Sequence, residues 1–207
     1  LLTQMQEGVF TPSQEKIKTE YLKIACFGTD PHELRVFLDE DVAPMPIFGK
    51  GFKAHVTSSC HDEYGKRNLI DISALDNFIR KLSNKILKHK EEIILVERDY
   101  EGAEIVLVSY GGVARAAAMA AAQARKEGIP VGTLRLITVW PFPEEEIAKM
   151  AKKAKHVIVL ENNLGQLYPY IKAEAAHFSE VSFLPPRLVG EIQDPEDILS
   201  KIREVAK

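Results

Sequence analysis

Short apolar runs alternate with amphipathic stretches through the second half of the chain, and their spacing predicts a wound α/β layer. Residues 105–109 form a β-branched apolar run, Tyr110-Gly111-Gly112 breaks it, and an Ala-dominated stretch continues to Gly128, a C′ residue by type. Residues 131–137 read as the next strand. A strand, a helix and a strand within about thirty residues imply a right-handed crossover and parallel pairing, because parallel neighbours need a helix to return the chain. Pro143 as first helical residue, followed by Glu144, Glu145 and Glu146, predicts a helix over 144–153 that suits its dipole. Residues 157–160 form a buried strand. Gly165 and Gln166 open a further helix to about Phe178, and 181–184 is the last strand before Pro185-Pro186. Asp194 as N-cap, with Pro195 behind it, starts the final helix to Val205.

Upstream of this series the pattern predicts one more helix, over 73–90. Leu75, Phe78, Ile79, Leu82, Ile86 and Leu87 recur at three- and four-residue spacing, Ser73 with Asp76 reads as a capping pair, and Lys85, Lys88, His89 and Lys90 suit its end. Residues 93–96 read as a strand joined to 105–109 by a turn near Tyr100-Glu101-Gly102. That short link predicts an antiparallel pair. The expected fold class is thus α/β, with three α/β/α layers and a mixed, mostly parallel sheet whose first strand is reversed.

Residues 1–70 read differently. Pro12, Pro31, Pro44 and Pro46, with Gly28, Gly49, Gly51 and Gly65, interrupt every candidate element, so an irregular arm of short strands and turns is expected. Its apolar groups, among them Leu22, Phe27, Phe37 and Phe48, build no layer of their own and call for a neighbouring domain or subunit. The predicted organisation is an arm over 1–70 and an α/β domain over 71–207.

Composition changes this picture in three respects. With 207 residues, 45% of them hydrophobic, the chain is long enough to bury a sizeable core. A formal charge of −3 speaks against a general electrostatic affinity for nucleic acid or anionic membrane. No apolar run approaches the roughly 18 residues of a membrane span and no signal-peptide pattern is present, so a cytoplasmic protein is expected. Cys26 and Cys60 are two thiols far apart in sequence, where an iron-sulfur cluster takes four, so any cluster is expected on another chain. No metal site is read.

Candidate functional residues fall in three places. Gly111 and Gly112 sit where a parallel strand meets a helix N-terminus, whose free N–H groups and dipole suit an anion, with Arg115 one turn on; close strand-to-helix packing is the alternative. Glu161-Asn162-Asn163-Leu164-Gly165-Gln166 follows a strand at the carboxyl edge, where open α/β sheets bind ligands, and Asn162 and Gln166 there join Arg115 and Trp140 as candidates around one crevice. Local turns and backbone capping are the alternative for these amides. Cys60-His61-Asp62-Glu63 places a thiol, an imidazole and carboxylates side by side, but sequence neighbours diverge in direction. His61, Asp62 and Glu63 are expected in an interface loop that turns at Gly65.

The wording of these segments resembles a known family. Tyr110-Gly111-Gly112-Val113-Ala114-Arg115, then Val131 through Thr138-Val139-Trp140-Pro141-Phe142-Pro143, then Glu161-Asn162-Asn163-Leu164-Gly165-Gln166 resemble successive motifs in the α subunit of 2-oxoacid:ferredoxin oxidoreductases, the 2-oxoglutarate-type branch being closest. Phe48-Gly49, His55-Val56-Thr57, His61 through Gly65, and Met5-Gln6-Glu7 add to the resemblance. The Tyr-Pro-Ile-Thr-Pro motif of that family's thiamine-diphosphate pyrimidine domain is absent, so the chain resembles the latter half of the subunit.

The resemblance implies a transketolase C-terminal-like domain with a structural and docking role. The complex it implies oxidatively decarboxylates a 2-oxoacid to an acyl-coenzyme A and reduces ferredoxin, using thiamine diphosphate, magnesium, an iron-sulfur cluster and coenzyme A. This chain is expected to bind none of these cofactors, to hold no catalytic residue and to be inactive alone. Its implied partners are a thiamine-diphosphate-binding β subunit, γ and δ subunits, and ferredoxin. Two alternatives stay open: a thiamine enzyme of transketolase or 2-oxoacid dehydrogenase type, and an independent anion-binding α/β module centred on Gly111.

Overall fold

A computed structural model describes Cys60 and residues 67–207. The expected arm over 1–70, with His61, Asp62 and Glu63, lies almost wholly outside the described residues.

Helix α1 spans Ile72–Leu87. Its cap is Asp71, in extended conformation, whose carboxylate accepts from the backbone N–H of Ser73 at 2.9 Å and of Ala74 at 3.2 Å. The Ser73–Asp76 capping pair is thereby corrected: Asp76 pairs with Arg80 one turn on, at 2.7 Å. The helix also stops earlier than the basic run suggests, and Lys90–Ile93 forms a separate turn, α2.

Lys90–Lys207 forms one compact unit. Its strands are β1 Val96–Asp99, β2 Ile105–Tyr110, β3 Val131–Leu136, β4 His156–Leu160 and β5 Glu180–Leu184. Between and after them run α3 Val113–Lys126, α4 Glu144–Ala151, α5 Tyr168–Ala175 and α6 Pro195–Val205. The sheet order is β1-β3-β2-β4-β5, with β2, β3, β4 and β5 parallel and β1 antiparallel.

The reversed first strand is present, but its partner differs from expectation. β1 pairs with β3, Val96 opposite Leu136 and Asp99 opposite Thr133, and not with β2. The reason is burial: β2 is enclosed almost throughout, whereas Glu97, Arg98 and Asp99 are exposed and suit an edge. Gly132 permits the crossing, because a Cβ there would lie 2.4 Å from Tyr100 Cα and 2.7 Å from Asp99 O.

Alternation along the strands feeds two cores. Val106, Val108, Leu134, Leu136, Val157 and Val159 face α4 and α5, which contribute Ile147, Met150, Ile171 and Ala175. Ile105, Leu107, Val131, Ile158 and Leu160 face α3 and α6. Each such side chain contributes roughly 1.5–3 kcal/mol on burial. The alanines of α3 keep it close to the sheet: Ala117, Ala120, Ala121 and Ala124 are essentially inaccessible. Arg125, near the end of α3, donates to Val131 O and to Asp99, tying the helix to β3 and β1.

Candidate functional site

The strand order creates a switch point. From β2 the chain crosses through α3 to β3 on one side, and from β4 it crosses through α5 to β5 on the other. β2 and β4 are parallel neighbours, Ser109 opposite Leu160, and the chain leaves their carboxyl ends in opposite directions, which is the place where open α/β sheets accept ligands. Both principal candidate segments, Tyr110-Gly111-Gly112 and Glu161-Asn162-Asn163, begin there.

Gly111 holds a left-handed φ of 59°, which turns the chain from β2 into α3 at no steric cost to glycine. Gly112 is the N-cap, and no side chain bonds the first turn of α3. Arg115 N donates to Gly112 O at 3.3 Å, and no side chain caps the N–H groups before it. Arg115, in that first turn, is exposed. Ile192, from the loop between β5 and α6, comes to 3.8 Å from the position a Gly112 Cβ would take, so this loop reaches the same turn.

Glu161 organises the β4 side. It is fully buried, with Oε2 accepting from the Tyr110 hydroxyl at 2.9 Å and from Leu167 N at 3.0 Å, while Oε1 accepts from Tyr168 N at 2.8 Å. The carboxylate thus caps α5 and crosses to β2. Asn163 Nδ2 donates to the Tyr110 hydroxyl at 2.7 Å, and its Oδ1 receives Gly165 N and Gln166 N. Burial pushes the Tyr110 phenol up, and the bond to the Glu161 carboxylate adds to the rise. With its backbone taken by this turn, 163–167 cannot be helical, and α5 starts at Tyr168, later than the expected opening at Gly165. Gln166 is exposed and enters only through its backbone N–H.

Three buried polar atoms on this edge have no hydrogen-bond partner: Ser109 Oγ, Asn162 Oδ1 and Gln193 Oε1. Gln193 is 6% exposed and its Nε2 donates to Glu161 O and Leu184 O, bridging the ends of β4 and β5. Ser109 is 1% exposed and, two residues beyond Leu107, turns to the α3 and α6 side of the sheet.

Trp140 lies on the same edge, past the end of β3, and is 60% exposed; its bond to Pro141 is cis. Leu95, Ile137, Val139, Leu164, Leu188 and Val189 are also exposed in the loops of this edge. Sequence reasoning named Asn162 and passed over Glu161, Ser109 and Gln193. Glu161 was within the quoted motif, but only the Tyr110 and Tyr168 contacts reveal its role.

At the opposite edge His156 Nε2 lies 2.8 Å from Ser182 Oγ, and Nδ1 lies 3.4 Å from Glu180. Burial pushes the His156 imidazole down, partly opposed by Glu180. The serine sits within β5 and Glu180 is largely exposed, so the trio reads as pairing between two strand ends. Among the described residues there is one cysteine, Cys60, and no group of three His, Cys, Asp or Glu side chains that fits a metal ion. The described residues therefore do not offer the four thiolates that an iron-sulfur cluster takes. No described helix is long and apolar enough to cross a membrane.

A doubly wound unit with one reversed edge strand and a carboxyl-edge crevice defines a three-layer α/β domain. Residues 103–198 match the family model of pyruvate:ferredoxin oxidoreductase core domain II. The chain is 35% identical over 201 residues to the 2-oxoglutarate synthase subunit KorA of Methanothermobacter thermautotrophicus, covering 96% of this chain and 52% of that one. KorA of Methanocaldococcus jannaschii is 39% identical over 160 residues, 77% of this chain and 43% of that one. The 2-oxoglutarate:ferredoxin oxidoreductase of Magnetococcus marinus, solved with 2-oxoglutarate, coenzyme A and succinyl-CoA bound, shares the fold with a TM-score of 0.63. At 23% identity it covers 84% of this chain and 30% of that one. Over most of its length the chain is thus similar to subunits of 2-oxoacid:ferredoxin oxidoreductases, and residues 103–198 carry that enzyme class's core domain II. It spans about half the length of the curated relatives it matches.

Proposed function

We propose that this chain is the docking domain of the α subunit of a cytoplasmic 2-oxoacid:ferredoxin oxidoreductase, and that it supplies assembly and no catalytic group. The complex would convert 2-oxoglutarate and coenzyme A to an acyl-coenzyme A and reduce ferredoxin. Thiamine diphosphate, magnesium and an iron-sulfur cluster would be held elsewhere in an assembly with β, γ and δ subunits. When bound there, thiamine diphosphate supplies the decarboxylation chemistry.

The observation that carries this reading is the apolar carboxyl edge. Trp140 at 60%, Leu164 at 78% and Ile192 at 66% exposure project from three loops of one edge. Beneath them the Glu161–Tyr110–Asn163 bonds hold the loop after β4 rigidly. Exposed aromatic and aliphatic groups on a rigid support are what interface cores use. Positions 1–70, with His61, Asp62 and Glu63, are proposed from the sequence alone to contact a neighbouring domain or subunit.

The test is assembly of the complete α subunit carrying Trp140→Glu and Leu164→Glu with its partner subunits. Co-elution should weaken by tenfold or more, and 2-oxoglutarate- and coenzyme-A-dependent ferredoxin reduction should fall with it, while the 207-residue chain keeps its melting temperature. Unchanged assembly and turnover overturn the docking role.

A further inference from the structure

We propose that the crevice between the carboxyl ends of β2 and β4 binds a small α-amino acid with an apolar side chain, at a site that adjoins the docking edge and shares Ile192 with it. Three oxygens without a hydrogen-bond partner, two amide acceptors and one hydroxyl, sit around the backbone of β4 at Leu160 and Glu161. Ser109 Oγ is on the strand paired with Leu160, Asn162 Oδ1 is one residue beyond Glu161, and the Gln193 amide is bonded to Glu161 O. Ser109 and Gln193 are more than nine-tenths buried, so bulk solvent does not satisfy them. A buried acceptor left unpaired costs about 1–3 kcal/mol. Three on neighbouring backbone positions form an arrangement that a donor-rich group relieves, and a primary ammonium carries three N–H donors.

The other wall has the opposite polarity. The first turn of α3 has no side-chain cap, its N–H groups carry the positive end of the helix dipole, and Arg115 lies in that turn. A carboxylate fits there. Ser109 leads through the Gly111 turn into this helix, so acceptor wall and donor wall are joined by three residues, Tyr110 to Gly112. Ile192 beside Gly112 adds an apolar wall for a side chain. An anion without donors, such as a 2-oxoacid or phosphate, would accept from the Ser109 hydroxyl but leave the Asn162 and Gln193 oxygens unpaired. An amine without a carboxylate would leave the α3 turn and Arg115 unused.

Calorimetric titration of the 207-residue chain with L-leucine, isocaproate, isopentylamine and the 2-oxoacid of the same skeleton separates these cases. Leucine should bind at least tenfold more tightly than each of the other three. Ser109→Ala removes an orphaned hydroxyl and should leave the unliganded melting temperature unchanged or raised, yet weaken leucine binding by about tenfold, one hydrogen bond to a charged donor. Arg115→Gln should weaken leucine and isocaproate and leave isopentylamine unaffected. No heat with leucine at about 10 mM, where sites weaker than millimolar still register, overturns the proposal. So does equal binding of the 2-oxoacid or of isopentylamine, or an affinity that Ser109→Ala does not change.

Discussion

Replacing Glu161 by alanine tests how the crevice is built. The carboxylate is fully buried and accepts three hydrogen bonds, two from backbone N–H groups at the start of α5 and one from Tyr110. Removing it leaves the N–H groups of Leu167 and Tyr168 without their acceptor, at about 1–3 kcal/mol each. Both residues are only partly buried, so water recovers some of this, whereas Tyr110 keeps its bond from Asn163. The expected loss is about 3 kcal/mol. For a unit of this size, 1 kcal/mol shifts melting by roughly 4 °C, giving a fall of about 12 °C. Glu161→Gln keeps the shape and an acceptor oxygen for Tyr110 and Leu167 N, but turns an NH₂ group toward Tyr168 N, so it should cost about half as much. Thermal and denaturant unfolding of the 207-residue chain measure both variants, and amide exchange at Leu167 and Tyr168 should rise selectively. A loss below about 1 kcal/mol for Glu161→Ala, with those amides still protected, would show that the carboxylate does not cap α5.

Two further predictions concern the sheet. Gly132→Ala forces a Cβ to within 2.4 Å of Tyr100 Cα and should cost about 3 kcal/mol, the upper range for overpacking, with exchange of β1 amides rising first; an unchanged melting temperature would contradict the crossing geometry. His156 has a depressed folded pKa, so the unfolded chain binds a proton first on acidification; stability should fall as pH drops from about 6.5, the ordinary imidazole value, through the folded pKa. His156→Asn should flatten that slope in pH-dependent unfolding, and an equally steep profile would assign the acid sensitivity to other groups.

Much of the domain was legible from side-chain type and spacing. The continuous apolar runs at β2 and β4 and the alanine repeat of α3 are signals of local geometry, and they do not depend on what the chain meets later. Asp194 followed by Pro195 started α6 where both residue types place a helix start, with Asp194 accepting from Glu196 N. The start of α5 and the cap of α1 were misread for one reason. Several nearby side chains compete for the same backbone N–H groups, and Asp71 and the Glu161–Asn163 turn win through geometry that residue type does not encode.

The sequence by itself determined the succession of elements, the mixed character of the sheet and, through its motifs, the resemblance to 2-oxoacid:ferredoxin oxidoreductases. Only the tertiary structure decided that β1 joins β3, that β2 and β4 part at a switch point, and that Glu161 is buried. Strand partnership is a choice among edges, settled by which strand can be enclosed on both faces; β2 can, and the charged β1 cannot. A carboxylate is ordinarily found at the surface, and its burial becomes favourable only when three donors from two separate segments converge on it. That convergence brings together Tyr110 and Tyr168, fifty-eight residues apart, and no local pattern carries it.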